Sequence, residues 1–342
     1  MARADLLKRL FASHSRREDE AFREAAEEIV AEERKKHHIV LANELQRLLS
    51  NGIEKERSPG LMRLDPLPMD SDRRTPLISI RSPERYLDDL ILDERVRRWV
   101  ARLMEEFRSW DILEANGLQP IRRVLFCGPS GCGKTATAEA IASELGLPLL
   151  YARFDSVVSS LLGETAANLR KVFDYAARGQ WVLLFDEFDA IGRSRDDATE
   201  HGEIKRLVNS FLQILDGFQG HSLIIAATNF EEALDPAIWR RFDEVLRFER
   251  PSDTAIESLL RKRLRTLEAR DEQVKQLTGE LSGSTFADGE RIALDLRRSA
   301  AIRGSRRLED QDLEQAVERF RYRKKTIQKV SAHGAPPHVD ED

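Results

Sequence analysis

Apolar positions along this chain follow two periods, and the change from one to the other outlines its architecture. From Asp5 to Leu49 the spacing is helical. Leu6, Leu7, Leu10 and Phe11 make one stripe, Phe22, Ala26, Ile29 and Val30 a second, and Leu41, Leu45, Leu48 and Leu49 a third, with Asn51-Gly52 as the stop. Further on the pattern alternates. Short apolar runs stand at "RVLFC" (123–127), "LPLLYAR" (147–153), "WVLLF" (181–185), "SLIIAAT" (222–228) and "EVLRF" (244–248), and helical patterns separate them at Lys134–Leu145, Glu164–Ala177 and Glu203–Leu215. Apolar strands alternating with helices predict an α/β fold, a parallel sheet covered on both faces. After Pro251 the helical period returns and lasts to about Arg323, with Ile256, Leu259, Leu260, Leu264 and Leu267 on one face and Leu313, Val317 and Phe320 on another.

Between the first helical stretch and the alternating region lies "RSPGLMRLDPLPMDSDRRTP" (57–76), with four prolines and no periodicity, which reads as a linker. The expected organisation is a helical module over 1–55, a linker over 56–82, an α/β domain over 83–250, a helical lid over 251–325 and a flexible tail over 326–342. The N-terminal module is either a packed helical hairpin or an adaptor that presents a face to a partner.

Composition narrows the class. The 342 residues suffice for two or three domains, and the charged fraction of 34% fits long exposed helices. A net charge of −5 gives no general reason to expect nucleic acid as the main partner. No run approaches the roughly 18 apolar residues of a membrane-spanning helix. The opening "MARADLLKRLFASHSRRE" carries Asp5 and runs into "EDEAFREAAEE", too acidic for a transit peptide, so a cytoplasmic location is expected. The two cysteines, Cys127 and Cys132, form no spaced framework and fit a reducing compartment.

The segment "GPSGCGKT" (128–135) carries the first chemistry. It fits Gly-x4-Gly-Lys-Ser/Thr, directly after one predicted strand and directly before a helix. Such a pattern arises by chance in about 1% of chains of this length at average composition, and its strand–turn–helix setting lowers that further. Glycines let the backbone wrap close to phosphate, so that successive N–H groups of Gly128, Pro129, Ser130, Gly131, Cys132, Gly133 and the helix start through Ala136 form a cradle, Pro129 contributing shape alone. Lys134 supplies a charge to the β- and γ-phosphates, and the Thr135 hydroxyl a ligand to Mg²⁺. A helix N-terminus lowers a thiol's pKa, so Cys132 is either a reactive thiol whose oxidation could block nucleotide entry or merely a small filler. The second carboxylate-bearing stretch is "VLLFDEFD". Asp186, just past an apolar strand, is placed to hold Mg²⁺, and Glu187 to polarise the attacking water. Asp189 is read as structural. No His-Glu-x-x-His and no Ser-His-Asp constellation is evident.

With these motifs, "VNSFLQILDGFQGHSLIIAATNFEEALDPAIWRRFDEVLRF" (208–248) resembles the second region of homology of AAA+ ATPases, within the AAA clade proper. The resemblance covers about Tyr86 to Arg323. It implies a P-loop sheet with a C-terminal helical lid, ATP and Mg²⁺ as cofactors, and a stand-alone homo-oligomeric ring, most often hexameric. By resemblance Asn229 is the sensor that orients water or touches the γ-phosphate. Arg240 and Arg241 match the arginine fingers that reach a neighbour's nucleotide. The clade separates its two arginines by two residues, whereas "WRRFD" joins them and leaves open which one is the finger. Asp216-Gly217-Phe218 resembles an intersubunit signalling element, or is a plain turn with a buried Phe. Asp89 and Leu90 are implied to lie near adenine, and Gly283 and Ser284 to approach the nucleotide from the lid.

The clade also places an aromatic, an aliphatic and a Gly in a loop facing the ring's pore, where "Leu161-Leu162-Gly163" stands here. Exposed apolar side chains suit a grip on extended polypeptide, and Leu in place of the aromatic implies a weaker one. The alternative is that both leucines are core. The expected function is ATP-driven remodelling of a protein partner, with a separate effector such as a protease. Its rivals are a nucleic-acid loader, for which "RYRKKTIQK" (321–329) is the positive sign, and an ATP-gated scaffold that threads nothing.

Overall fold

The computed structural model describes residues 66–70, 73–153, 162–188, 208–229 and 236–333, with Leu6, Arg9, Ser13, Phe22 and 24–29 near the N terminus. The chain divides into two compact units, Met1–Pro66 and Leu67–Asp342. In the first, residues 24–29 are helical, Ala25, Ala26 and Ile29 are buried, and Arg9 pairs with Glu28 at 3.0 Å. The leucine stripe at 41–49, the Asn51-Gly52 stop and the tail from 334 lie outside the described residues.

The second unit is built on a six-stranded sheet in the order β1-β3-β4-β5-β2-β6, with β1 at Ser79–Arg81, β2 at Arg123–Cys127, β3 at Leu149–Arg153, β4 at Val182–Asp186, β5 at Leu223–Thr228 and β6 at Glu244–Arg247. All pairs are parallel except β1 with β3. Side chains alternate between two cores, as a period of two requires. Leu125, Leu150, Leu183, Phe185, Ile224 and Ala226 face one cluster, and Val124, Phe126, Leu149, Val182, Leu184 and Ile225 face the other. The first is rich in rings. Phe173, in the helix Leu162–Ala176, stacks on Phe185 at 5.4 Å, and Phe211, in the helical residues 208–216, packs edge-on to Phe185 at 5.6 Å.

The second face is covered by α1 (Glu94–Arg108) and α3 (Lys134–Leu145), while α2 (Trp110–Ala115) follows α1 and α4 spans Leu162–Ala176. Ala138, Ala140, Ile141 and Ala142 of α3 are buried, and alanine at these positions lets the helix lie close to the sheet. Its left-handed Gly146 stops it, with the N–H donating to Ser143 O.

Composition misleads at the linker. Its second half belongs to the sheet: Leu77 and Ile78 are buried, β1 adds an edge strand to β3, and buried Asn168 donates to Asp70 at 2.9 Å. Prolines and charges mask this because an edge strand of three residues has no period to read.

The lid is formed by Asp253–Arg263, Asp271–Glu280, Phe286–Ile302 and Asp310–His333, here α5 to α8, around Ile256, Leu260, Leu277, Leu281, Ile292, Leu296 and Leu313. "RYRKKTIQK" lies on the last of these helices, where Arg321 pairs with Glu280 and Lys324 sits 5.7 Å from the Phe320 ring.

Candidate active site

The carboxyl ends of the parallel strands carry the polar groups, the place where open α/β sheets bind ligands. After β2 the backbone turns through three left-handed glycines, Gly128, Gly131 and Gly133. Two of them admit no side chain. A Cβ on Gly128 would lie 2.0 Å from Phe248 O, and one on Gly131 would lie 2.8 Å from Thr285 Oγ1 of the lid. Lys134 opens α3 and is 6% exposed. Its ammonium donates to Gly128 O at 2.6 Å, Pro129 O at 2.9 Å and Asn229 Oδ1 at 2.8 Å, as a buried cation requires. The turn, the helix start and the end of β5 are thereby tied at one charge.

A second knot joins β3, β4 and α3. Thr135 Oγ1 donates to Asp186 Oδ2 at 3.0 Å, and the Tyr151 hydroxyl donates to the same oxygen at 3.1 Å. The Glu187 N–H donates to Asp186 Oδ1 at 3.0 Å. Burial, reinforced by the Asp186 carboxylate, pushes the Tyr151 phenol up to about 12, which keeps it a donor. The Arg81 guanidinium lies 3.4 Å from the Tyr151 ring centre. Glu187 has φ of 55°, a left-handed conformation that glutamate rarely adopts. Such strain persists where the surroundings over-determine it, commonly at functional positions.

Of these groups, Gly131, Gly133, Lys134, Thr135, Asp186, Glu187 and Asn229 line one cavity of about 390 Å³. Ser130, Gly131, Cys132, Gly133, Lys134, Thr135 and Ala136 form its floor, Asp186, Glu187 and Asn229 one wall, and Asp89, Leu90 and Leu92 another. Leu259 and Phe286 of the lid close an apolar side. The cavity fits a nucleotide: donors and a cation at one end, an apolar slot at the other. Among the described residues no three His, Cys, Asp or Glu side chains gather as a metal cluster. Mg²⁺ needs none, since one or two carboxylates and the phosphates of a nucleotide are its usual donors, and Thr135 and Asp186 supply hard oxygens here.

Residues 124–250 match the family model for the ATPase family associated with various cellular activities (AAA). The chain is 40% identical over 320 residues to y4kL of Sinorhizobium fredii, named as an uncharacterized AAA family ATPase, covering 93% of this chain and 95% of that one. This chain belongs to the AAA family of ATPases. It hydrolyses ATP. It is also 31% identical over 253 residues to an ATP-dependent zinc metalloprotease FtsH 3 of Sphaerobacter thermophilus and 32% over 223 residues to the FtsH of Marinobacter nauticus. It spans 52% and 35% of those two proteins. Among the described residues no helix is long and apolar enough to cross a membrane.

Elsewhere in this AAA ATPase the geometry departs from expectation. Gly283 and Ser284 are not among the residues that line the cavity: the Gly283 carbonyl accepts from Arg250, and Ser284 is buried. The lid meets the turn just after them, at Thr285 and Ala287, where the Ala287 N–H donates to Gly131 O at 3.1 Å. Phe218 is buried against Phe173 at 5.8 Å, so the plain-turn alternative holds and no Gly-Phe tip projects. Cys132 fits the filler alternative. It is buried, and burial pushes the thiol up, outweighing the nearby Lys134 and Arg250. Arg241 pairs with Asp216 at 2.8 Å, whereas Arg240 is exposed and makes no ion pair or hydrogen bond among the described residues. Leu161 lies outside the described residues, and Leu162 and Gly163 open α4.

Tyr151, Phe286 and Glu290 carry no motif that marks them in the sequence. Tyr151 sits within an apolar strand run that reads as core, and the two lid residues sit on a helix whose pattern reports only its buried face.

Proposed function

We propose that this ATPase works as a homo-oligomeric ring that uses ATP to remodel a protein partner captured by its N-terminal unit. Convergence of Lys134, Thr135, Asp186, Glu187 and Asn229 on one cavity supports the nucleotide end of this reading. Lys134, now held by carbonyls, exchanges them for phosphate oxygens. Thr135 and Asp186 hold Mg²⁺, which when bound neutralises phosphate charge. Glu187 orients and deprotonates water, Asn229 fixes the same water or the γ-phosphate, and the turn's N–H groups cradle the phosphates. Asp89, Leu90, Leu92, Leu259 and Phe286 enclose the base.

Arg240 completes the neighbour's site. The ion-pair chain Arg241–Asp216–Arg123–Asp243, with contacts of 2.8, 3.8 and 2.7 Å, occupies Arg241 within its own subunit and leaves Arg240 for the neighbour. Leu161, Leu162 and Gly163 grip the partner, and a separate protein such as a protease acts on the product. Similarity to the ATPase portion of FtsH proteins supports a protein substrate; the loader reading finds less support, because Arg321 and Lys324 already have partners within the lid.

The test is a Glu187→Gln trap. Purified in ATP from its native cells, it is expected to retain one or a few proteins, which are lost when Leu161→Ala is added. Retained nucleic acid, insensitive to Leu161, would replace remodelling by loading. Mixing inactive Arg240→Ala with inactive Glu187→Gln should restore hydrolysis if fingers act across subunits; a mixture that stays inactive refutes that.

A further inference from the structure

We propose that Tyr151 is a positioning residue for the Asp186 carboxylate, and that Arg81 holds the Tyr151 ring for that task. The inference rests on the reading that Asp186 holds the metal. Asp186 ends β4, where only its backbone is fixed by the sheet. In the structure Oδ1 is taken by the Glu187 N–H, and two hydroxyls, of Thr135 and Tyr151, converge on Oδ2. In the working site the Thr135 hydroxyl turns to Mg²⁺. Tyr151 is then the side-chain donor left on Asp186 among the described residues, and it decides which way the carboxylate faces.

The reach follows from register. Arg153 is opposite Asp186 and Tyr151 opposite Leu184, so Tyr151 and Asp186 are diagonal neighbours on adjacent strands. An aromatic side chain spans that diagonal and a shorter one does not. A ring serving only to pack against the neighbouring core needs no hydroxyl. Here the hydroxyl makes a hydrogen bond to an anion, the strong kind. The ring's outer face is covered from the edge strand: Ser79 is opposite Tyr151, which puts Arg81 on the diagonal and its guanidinium 3.4 Å from the ring centre. Edge strand, phenol and carboxylate thus form one line ending at the metal position.

Tyr151→Phe keeps the ring under Arg81 and removes only the hydroxyl. The measurement is the Kd of fluorescent mant-ATPγS, taken in EDTA and across a Mg²⁺ series, with thermal melting of each variant. We expect Tyr151→Phe to need about 10-fold more Mg²⁺ for half of the metal-dependent gain in affinity, with the Kd in EDTA and the melting temperature unchanged. Arg81→Met should move the same midpoint in the same direction by less. A wild-type midpoint in Tyr151→Phe overturns the inference, as does equal weakening with and without metal, which marks the hydroxyl as a packing element. Asp186→Asn separates the two readings. If it moves the midpoint and Tyr151→Phe does not, the inference alone fails; if it leaves the midpoint in place, the metal role of Asp186 fails with it.

Discussion

The lid and the strand ends belong to the same compact unit but follow opposite local rules. In the lid, Ser252 accepts from the Ala255 N–H at the start of one helix, and Thr285 and Asp288 cap each other's backbone at the start of another. Arg261 pairs with Glu257 one turn away, and the apolar stripe closes over a core of its own. At the strand ends a lysine is buried, a glutamate is left-handed and three glycines turn through left-handed φ, two of them where a side chain would collide. Local preference is satisfied where the chain only has to fold, and overridden where it has to face a ligand. The override is held by the cores on both sides of the sheet, where Phe126, Phe185 and Phe211 are fully buried.

The sharpest test of this contrast is at the rim. Arg240→Ala should lower kcat by about 10³–10⁵-fold while leaving nucleotide Kd intact, as expected of a charge acting on the transition state. Arg241→Ala should cost at most about 1 kcal/mol of stability in urea melts, the usual worth of a half-exposed ion pair, and spare most activity. Equal losses from both would erase the distinction between them.

Next in size is Glu187→Gly. Hydrolysis should fall about 10²–10⁴-fold with loss of the base. Stability should change by less than about 1 kcal/mol, because relief of left-handed strain offsets the entropy that glycine adds to the unfolded chain. A large loss of stability would show that Glu187 is a folding residue and that the strand ends are not strained for function.

In the lid, Thr285→Ala should destabilise by about 1 kcal/mol, the worth of an N-cap, read as a lower urea midpoint with unchanged slope. The smallest effect concerns Cys132. Its raised pKa leaves less thiolate than an ordinary cysteine at any pH, so alkylation by iodoacetamide should be slower than that of a free thiol and rise only at higher pH, followed by mass spectrometry. A fast reaction at neutral pH would restore the lowered pKa expected of a helix N-terminus.

Much of this was legible in the sequence. "RVLFC" is β2 residue for residue, and four other apolar runs are strands within two residues at either end. The turn at 128–135 announced its cavity because glycine, lysine and threonine at fixed spacing impose one backbone path. The illegible parts were of another kind. Leu77 and Ile78 sit in a proline-rich stretch whose strand exists only because β3 offers an open edge. Phe218 could face a neighbour or the core, and the Phe173 ring decided it.

The sequence by itself determined what periodicity and local backbone chemistry can carry: strand and helix order, the phosphate-type turn, the acidic strand end and membership of a nucleotide-hydrolysing class. Only the tertiary structure decided which side chains met across the chain. Asp216 took Arg241 and left Arg240, Asp186 took the Tyr151 hydroxyl, and burial raised the Cys132 thiol against its helix. Each outcome depends on a partner far away in sequence or on exclusion of water, and neither leaves a mark on the pattern of neighbouring residues.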